Sequence, residues 1–180
     1  ADNIWFEILT MTLPRIKDEF KLQDSDNKYA TLSLYSGLLI GSTFWGLCSD
    51  IIGRRPSWNM SLFLSAAFGI AVGGAYDLKS ICILLGCLGL GLGGNLPVDG
   101  AMLIEYIPGS HQWILTFLSL FWCIGQLFAA LIGWAFIATY HCADSDNCPK
   151  SENWGWRYAW FLLGGVVMLM FVARFFIYPI

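Results

Sequence analysis

Five apolar runs of about twenty residues each, joined by short polar connections, limit this chain to very few folds. The runs cover about 30–48, 57–76, 81–104, 113–139 and 157–178, and a sixth, partial run ends near Pro14. A segment needs about 20 mainly apolar residues to cross the hydrocarbon core of a membrane as a helix. Backbone groups in hydrocarbon must be satisfied within the segment, which leaves a helix or a closed barrel. The runs are too long and too uniformly apolar for barrel strands. The expectation is a single all-α, polytopic membrane bundle over residues 1–180. Only 13% of residues are charged, against about 25% in soluble domains. The connections 50–56, 77–80, 105–112 and 139–156 are short, so consecutive helices should run antiparallel.

Small residues recur four apart along these runs. Gly37 and Gly41, Gly69 and Gly73, and Gly89 and Gly93 form pairs, and Gly125, Ala129 and Gly133 continue the pattern. Such faces let backbones approach closely where no hydrophobic force drives association. They predict a packed bundle. Trp58, Tyr76, Trp113, Trp154, Trp156 and Tyr158 gather near the ends of the runs, as an interfacial aromatic belt would.

The polar hinge Gly46-Leu-Cys-Ser-Asp50-Ile-Ile-Gly53-Arg54-Arg55 sits between two long apolar runs. Charges are expensive in hydrocarbon, so this cluster marks a turn at the membrane surface. Gly46 and Gly53 permit a tight bend and close helix approach. Asp50 can accept hydrogen bonds from a helix N-terminus or an arginine. The pattern Gly-x-x-x-Asp-x-x-Gly-Arg-Arg resembles the loop between the second and third helices of major facilitator superfamily transporters. That resemblance implies that the chain is the N-terminal six-helix half of such a fold, with its first helix truncated and its C-terminal six-helix half missing. It also implies a cytoplasmic loop in which Gly46, Asp50, Gly53, Arg54 and Arg55 form a conformational latch. A second reading gives the two arginines a topological role, and both readings can hold.

The stretch Gly93-Gly94-Asn95-Leu96-Pro97-Val98-Asp99-Gly100, followed by Glu105-Tyr106-Ile107-Pro108, is similar to sugar-porter members and to fungal relatives of the synaptic-vesicle-glycoprotein type. His111-Gln112 stands where many sugar porters carry Arg-Gly, a departure from a plain sugar porter. The resemblance places Glu105 beside Arg54 or Arg55 as part of the latch. Gly89-x-Gly91-x-x-Gly94 nominally fits a dinucleotide fingerprint, but it lies within an apolar helix and has no strand before it.

Ionisable or polar residues within spans are functional candidates by default. Asn95 and Asp99 are four apart and share a helix face. Asp2 and Asn3 lie in what remains of the first helix, where several proton-coupled relatives carry an acid, so Asp2 is one candidate for the coupling proton and Asp99 the other. Trp122 and Gln126, again four apart, complete the proposed path for substrate and proton. Each of these also has a structural reading as a hydrogen-bond partner between helices.

Cys142 and Cys148 flank the longest polar loop and could form a disulfide on an extracellular face. Asn59-Met60-Ser61 matches a glycosylation sequon, but the adopted topology puts it on the cytoplasmic side, where it is expected to be unused. The Lys and Arg count alone would prefer the opposite orientation; the hinge motif sets the one adopted. No signal peptide is recognisable at the start. Both ends are expected to be cut from a longer protein.

No metal-ligand spacing, catalytic triad or phosphate loop occurs, so neither enzyme chemistry nor a cofactor is expected. No basic stripe suggests nucleic acid. The expected partners are a small-molecule or ion substrate, protons and the lipid bilayer. The expected activity is secondary active transport by alternating access, in the plasma membrane or an internal one. The alternative is a transporter-like receptor or vesicle protein that no longer transports.

Overall fold

The structure, a computed structural model, describes residues 2–21, 27–106, 113–140 and 153–177. It describes the side chains of these except 27, 96–99, 101–106, 114–115, 118 and 175–177. These residues form helices α1 (Asp2–Phe20), α2 (Asn27–Ile52), α3 (Arg54–Gly73), α4 (Leu78–Tyr106), α5 (Trp113–Thr139) and α6 (Gly155–Ile177). The fold is all-α. Four helices contain stretches long and apolar enough to cross a membrane: Lys28–Ile52, Leu78–Asn95, Ser119–Thr139 and Gly155–Arg174. The other two are more polar: α1 carries Glu7 and the charged residues Arg15, Lys17, Asp18 and Glu19, α3 opens on Arg54 and Arg55, and Asp2, Thr12, Ser57, Ser61 and Ser65 are buried on them.

The core is apolar, and so is much of the outer surface. Leu39, Ile51, Phe121, Trp134 and Leu169 are all at least 66% exposed. Rings and aliphatic chains facing outward in such number would be a liability in water and are natural in lipid.

Packing follows the glycine faces. A Cβ on Gly37 would overlap the carbonyl of Gly86, and one on Gly41 would stand 2.8 Å from Leu90 Cα. From the other side, a Cβ on Gly89 would lie 2.9 Å from Leu38 N, and one on Gly93 would lie 2.6 Å from Gly41 C. The α2 and α4 backbones therefore touch directly. Gly91 turns toward α3, where a Cβ would come within 2.8 Å of Ser65 N. Gly69 on α3 makes room for the Trp5 ring, which is fully buried and stacks on Trp160 of α6 with ring centroids 5.6 Å apart. Gly133 of α5 faces Met11 of α1 in the same manner. Gly46 behaves differently, because no atom lies within 4 Å of the place its Cβ would take. It sits five residues beyond Gly41, off the face that meets α4.

The helix α1 continues past Pro14 to Phe20. Proline removes one helical hydrogen bond. Burial of Ile8, Leu9 and Ile16 on both sides of it holds the helix through that gap. The helix stops at Lys21, whose φ of 48° is the left-handed conformation common just beyond a helix end.

Candidate functional site

Three side chains from three helices meet in the interior. Asn95 Nδ2 on α4 donates to Asp2 Oδ1 on α1 at 2.8 Å. Ser61 Oγ on α3 donates to Asn95 Oδ1 at 2.6 Å. Asp2, Asn95 and Ser61 are 7%, 2% and 0% exposed. Ser61 stands seven residues beyond the start of α3, roughly 10 Å along its axis. Asn95 stands about 26 Å from one end of α4 and about 17 Å from the other. The chain of hydrogen bonds therefore lies inside the bundle, about 10 Å from the start of α3 and further from both ends of α4.

Local sequence explains the meeting. Ser57, Ser61 and Ser65 recur every four residues, so all three face inward. Each can also donate to a carbonyl of its own helix, Ser57 to Gly53 O at 2.9 Å, Ser61 to Trp58 O at 3.0 Å and Ser65 to Leu62 O at 2.8 Å. Serine can thus be buried without leaving its hydroxyl unsatisfied. Gly94 precedes Asn95 and brings the helices close; a Cβ there would lie 2.7 Å from Ser61 Cβ and from the Trp45 ring. Trp45 of α2 closes the third side, donating its indole N–H to Leu90 O at 3.0 Å.

Chemically, the arrangement holds an acid in a low-dielectric interior and fixes the group that faces it. Such an acid can exchange a proton or engage a cationic group. Asn95 supplies a donor on one side and an acceptor on the other.

Of the residues expected from sequence, Asp2 and Asn95 come together. Asn3 is half-buried on the same helix. Trp122 (46% exposed) and Gln126 lie on the open face of α5 and make no hydrogen bond to Asp2 or Asn95. The backbones of Asp99 and Glu105 belong to α4, and their side chains lie outside the described residues. Cys142 and Cys148 also lie outside them.

The hinge resolves to a single residue between α2 and α3. Gly53 has φ 104° and ψ 149°, a conformation that side-chain-bearing residues rarely adopt. Its N–H donates to Ser49 O at 3.1 Å, and its carbonyl accepts from Ser57 N at 3.3 Å. Asp50 and Arg55 are exposed and Arg54 is half-buried at the start of α3.

Two features escaped the reading of the sequence. Ser61 was visible only as the third position of a sequon. The second feature lies at the opposite end of the bundle, where Glu19 and Arg157 form a bidentate ion pair at 2.9 and 2.8 Å. Their side chains are 0% and 5% exposed. Glu19 also accepts from Trp156 Nε1 at 2.8 Å and Asn153 Nδ2 at 3.3 Å. Arg157 donates to Ala75 O at 3.2 Å and lies over the Trp156 ring, 4.2 Å from its centroid. The pair thus joins α1, α6 and the exit of α3. Trp156 is fully buried in this cluster, so it leaves the interfacial belt in which its position near a span end had placed it. Both charges sit beside polar loops in sequence and therefore read as solvated.

Comparison with known proteins decides the family. The sequence model of the Major Facilitator Superfamily matches residues 4–180. The chain belongs to this superfamily. It is 41% identical, over its whole length, to the MFS siderochrome iron transporter 1 of Ceriporiopsis subvermispora, of which it covers 34%. It is 36% identical over 99% of its length to a major facilitator-type transporter of Emericella nidulans, covering 32% of that protein. It is 30% identical over 78% of its length to synaptic vesicle glycoprotein 2A of Rattus norvegicus, covering 19% of it. The chain thus spans about a third of the length of these two transporters. As a superfamily member with apolar spans, it is a multi-pass membrane protein.

Proposed function

We propose that the chain is the N-terminal half of a secondary active transporter that moves a small solute by alternating access, driven by protons. The observation that carries this reading is the buried Asp2–Asn95–Ser61 chain inside the bundle. Major facilitator folds place substrate near the midplane, between two six-helix halves. A buried ionisable group on α1, linked by hydrogen bonds to α4 and α3, is suited to couple solute movement to a proton. Asp2 carries the proton, Asn95 and Asp99 shape the path beside it, and Trp122 and Gln126 line the face open to the second half. The relative that is 41% identical is named for siderochrome iron, so a ferric siderochrome is the first solute to test.

In proteoliposomes of the whole protein, an inward proton gradient is expected to drive accumulation of ferric siderochrome. Asp2→Asn is expected to lower that accumulation at least about tenfold, equivalent to ~1.4 kcal/mol, while leaving solute exchange without a gradient in place. Accumulation at the unmodified rate in Asp2→Asn would end the proton assignment.

The hinge serves as a latch between conformations. Gly53 sets the turn, and Asp50, Arg54, Arg55 and Glu105 supply polar contacts in a setting with few alternatives. Asp50→Asn is expected to insert in normal amount and to transport more slowly. Unchanged uptake at equal membrane abundance would leave the arginines a topological role alone.

A further inference from the structure

The hydroxyl of Ser61 has one proton and two acceptors within reach. Asn95 Oδ1 lies at 2.6 Å and the Trp58 carbonyl at 3.0 Å. A hydroxyl can donate to one of these and still accept from another group. Asn95 is equally two-faced, because its amide presents an acceptor and a donor of almost the same shape, which exchange places when the group turns over. Only Asp2 at the end of the chain changes its character, from acceptor when ionised to donor when neutral.

We propose that uptake of a proton by Asp2 reverses the direction of the whole Asp2–Asn95–Ser61 chain, with Ser61 as the residue that lets Asn95 turn over. This rests on the proton reading of Asp2 given above. In the ionised state Ser61 donates to Asn95 Oδ1, and Asn95 Nδ2 donates to Asp2, as the structure shows. In the neutral state the Asp2 hydroxyl donates to Asn95 Oδ1. Asn95 Nδ2 then donates to Ser61 Oγ, and the Ser61 proton passes to the Trp58 carbonyl, an acceptor already in place. One proton enters from water at Asp2, and no other atom is gained or lost. Every member has a partner in both states, without any helix moving. That matters because an unsatisfied buried polar group costs about 1–3 kcal/mol. The charge state of α1 is thereby written into α3 through α4.

Titratable groups stand on each helix around the chain. Glu7 lies further along α1, Tyr35, Cys48 and Asp50 lie on α2, Arg54 and Arg55 stand at the start of α3, and Asp99 and Glu105 lie on α4. Helix α5 has Cys123 alone. On α6, Arg157 is paired with Glu19 at the far end and Arg174 lies over the Trp58 ring.

Ser61 is a positioning residue, so its test needs a readout that packing alone would not move. Infrared difference spectra between neutral and acidic pH, taken on the whole protein in lipid vesicles, supply one. The Asp2 carboxylic band is identified by its loss in Asp2→Asn, and the Asn95 amide band by its loss in Asn95→Ala. The expected result is a carboxylic band that rises with acid and an amide band that shifts with it. The shift should persist in Ser61→Thr, which keeps the hydroxyl, and vanish in Ser61→Ala. A carboxylic band with an unmoved amide band in the unmodified protein overturns the reversal and leaves the proton reading standing. The same shift in Ser61→Ala also overturns it. Absence of an Asp2 carboxylic band at any pH removes the proton reading and the reversal together.

Discussion

Arg157→Ala in the whole protein is expected to lose most of the folded material, with a destabilisation of about 3–5 kcal/mol. The reason is the partner left behind. Glu19 would remain buried with its charge, keeping, among the described residues, the indole N–H of Trp156 and the amide of Asn153. The Ala75 carbonyl would lose its bond to the guanidinium, and Trp156 would lose the cation above its ring. Glu19→Ala should cost a similar amount for the mirror-image reason. Replacing both by methionine should cost less than either single change, because no charge is then stranded. The check is the thermal midpoint of the four purified proteins in detergent. A single variant as stable as the unmodified protein would mean that water reaches this pair and screens it.

The second large effect is expected at Gly93. Its missing Cβ would lie against Ser42 N, Leu38 O and Gly41 C, at distances down to 2.4 Å. All three are backbone atoms of α2, so no side chain can swing aside. Gly93→Ala must therefore push α2 away from α4, opening the contacts that run from Gly37–Gly86 to Gly41–Leu90. Overpacking commonly costs about 1–3 kcal/mol, and a backbone obstacle belongs at or above the top of that range. Gly46→Ala is the matched control, since the space around it is open. There the gain in helix propensity, about 0.5–1 kcal/mol, should prevail. Size-exclusion profiles of the two variants should show Gly93→Ala aggregated and Gly46→Ala monodisperse. Equal profiles would mean that α2 and α4 do not meet through their glycines.

The same two comparisons show which parts of the molecule could be read in advance. Long apolar runs can do little except span as helices, because hydrocarbon offers the backbone no other partners. The glycine pairs announce close packing, because nothing else justifies so many glycines in helices that they would otherwise weaken. The hinge at Gly53 was legible for the same reason, since a turn between two spans needs a residue free to take positive φ. Asp2 and Asn95 stood out because polar groups are costly in a span.

What the sequence could not convey is which polar groups meet. Asp2 and Asn95 are 93 positions apart, and Glu19 and Arg157 are 138 apart. Ser61 looks ordinary because a serine in a helix can always satisfy itself on its own backbone. Glu19 and Arg157 look solvated because each lies next to a polar connection, and only the arrangement of α1, α3 and α6 takes water away from them. By itself the sequence determined the class of solvent, the six helices and the faces by which they pack, since these follow from the cost of exposing backbone and charge to lipid. The tertiary structure alone decided the pairing of buried polar atoms, since that depends on the rotation and depth at which each helix finally sits.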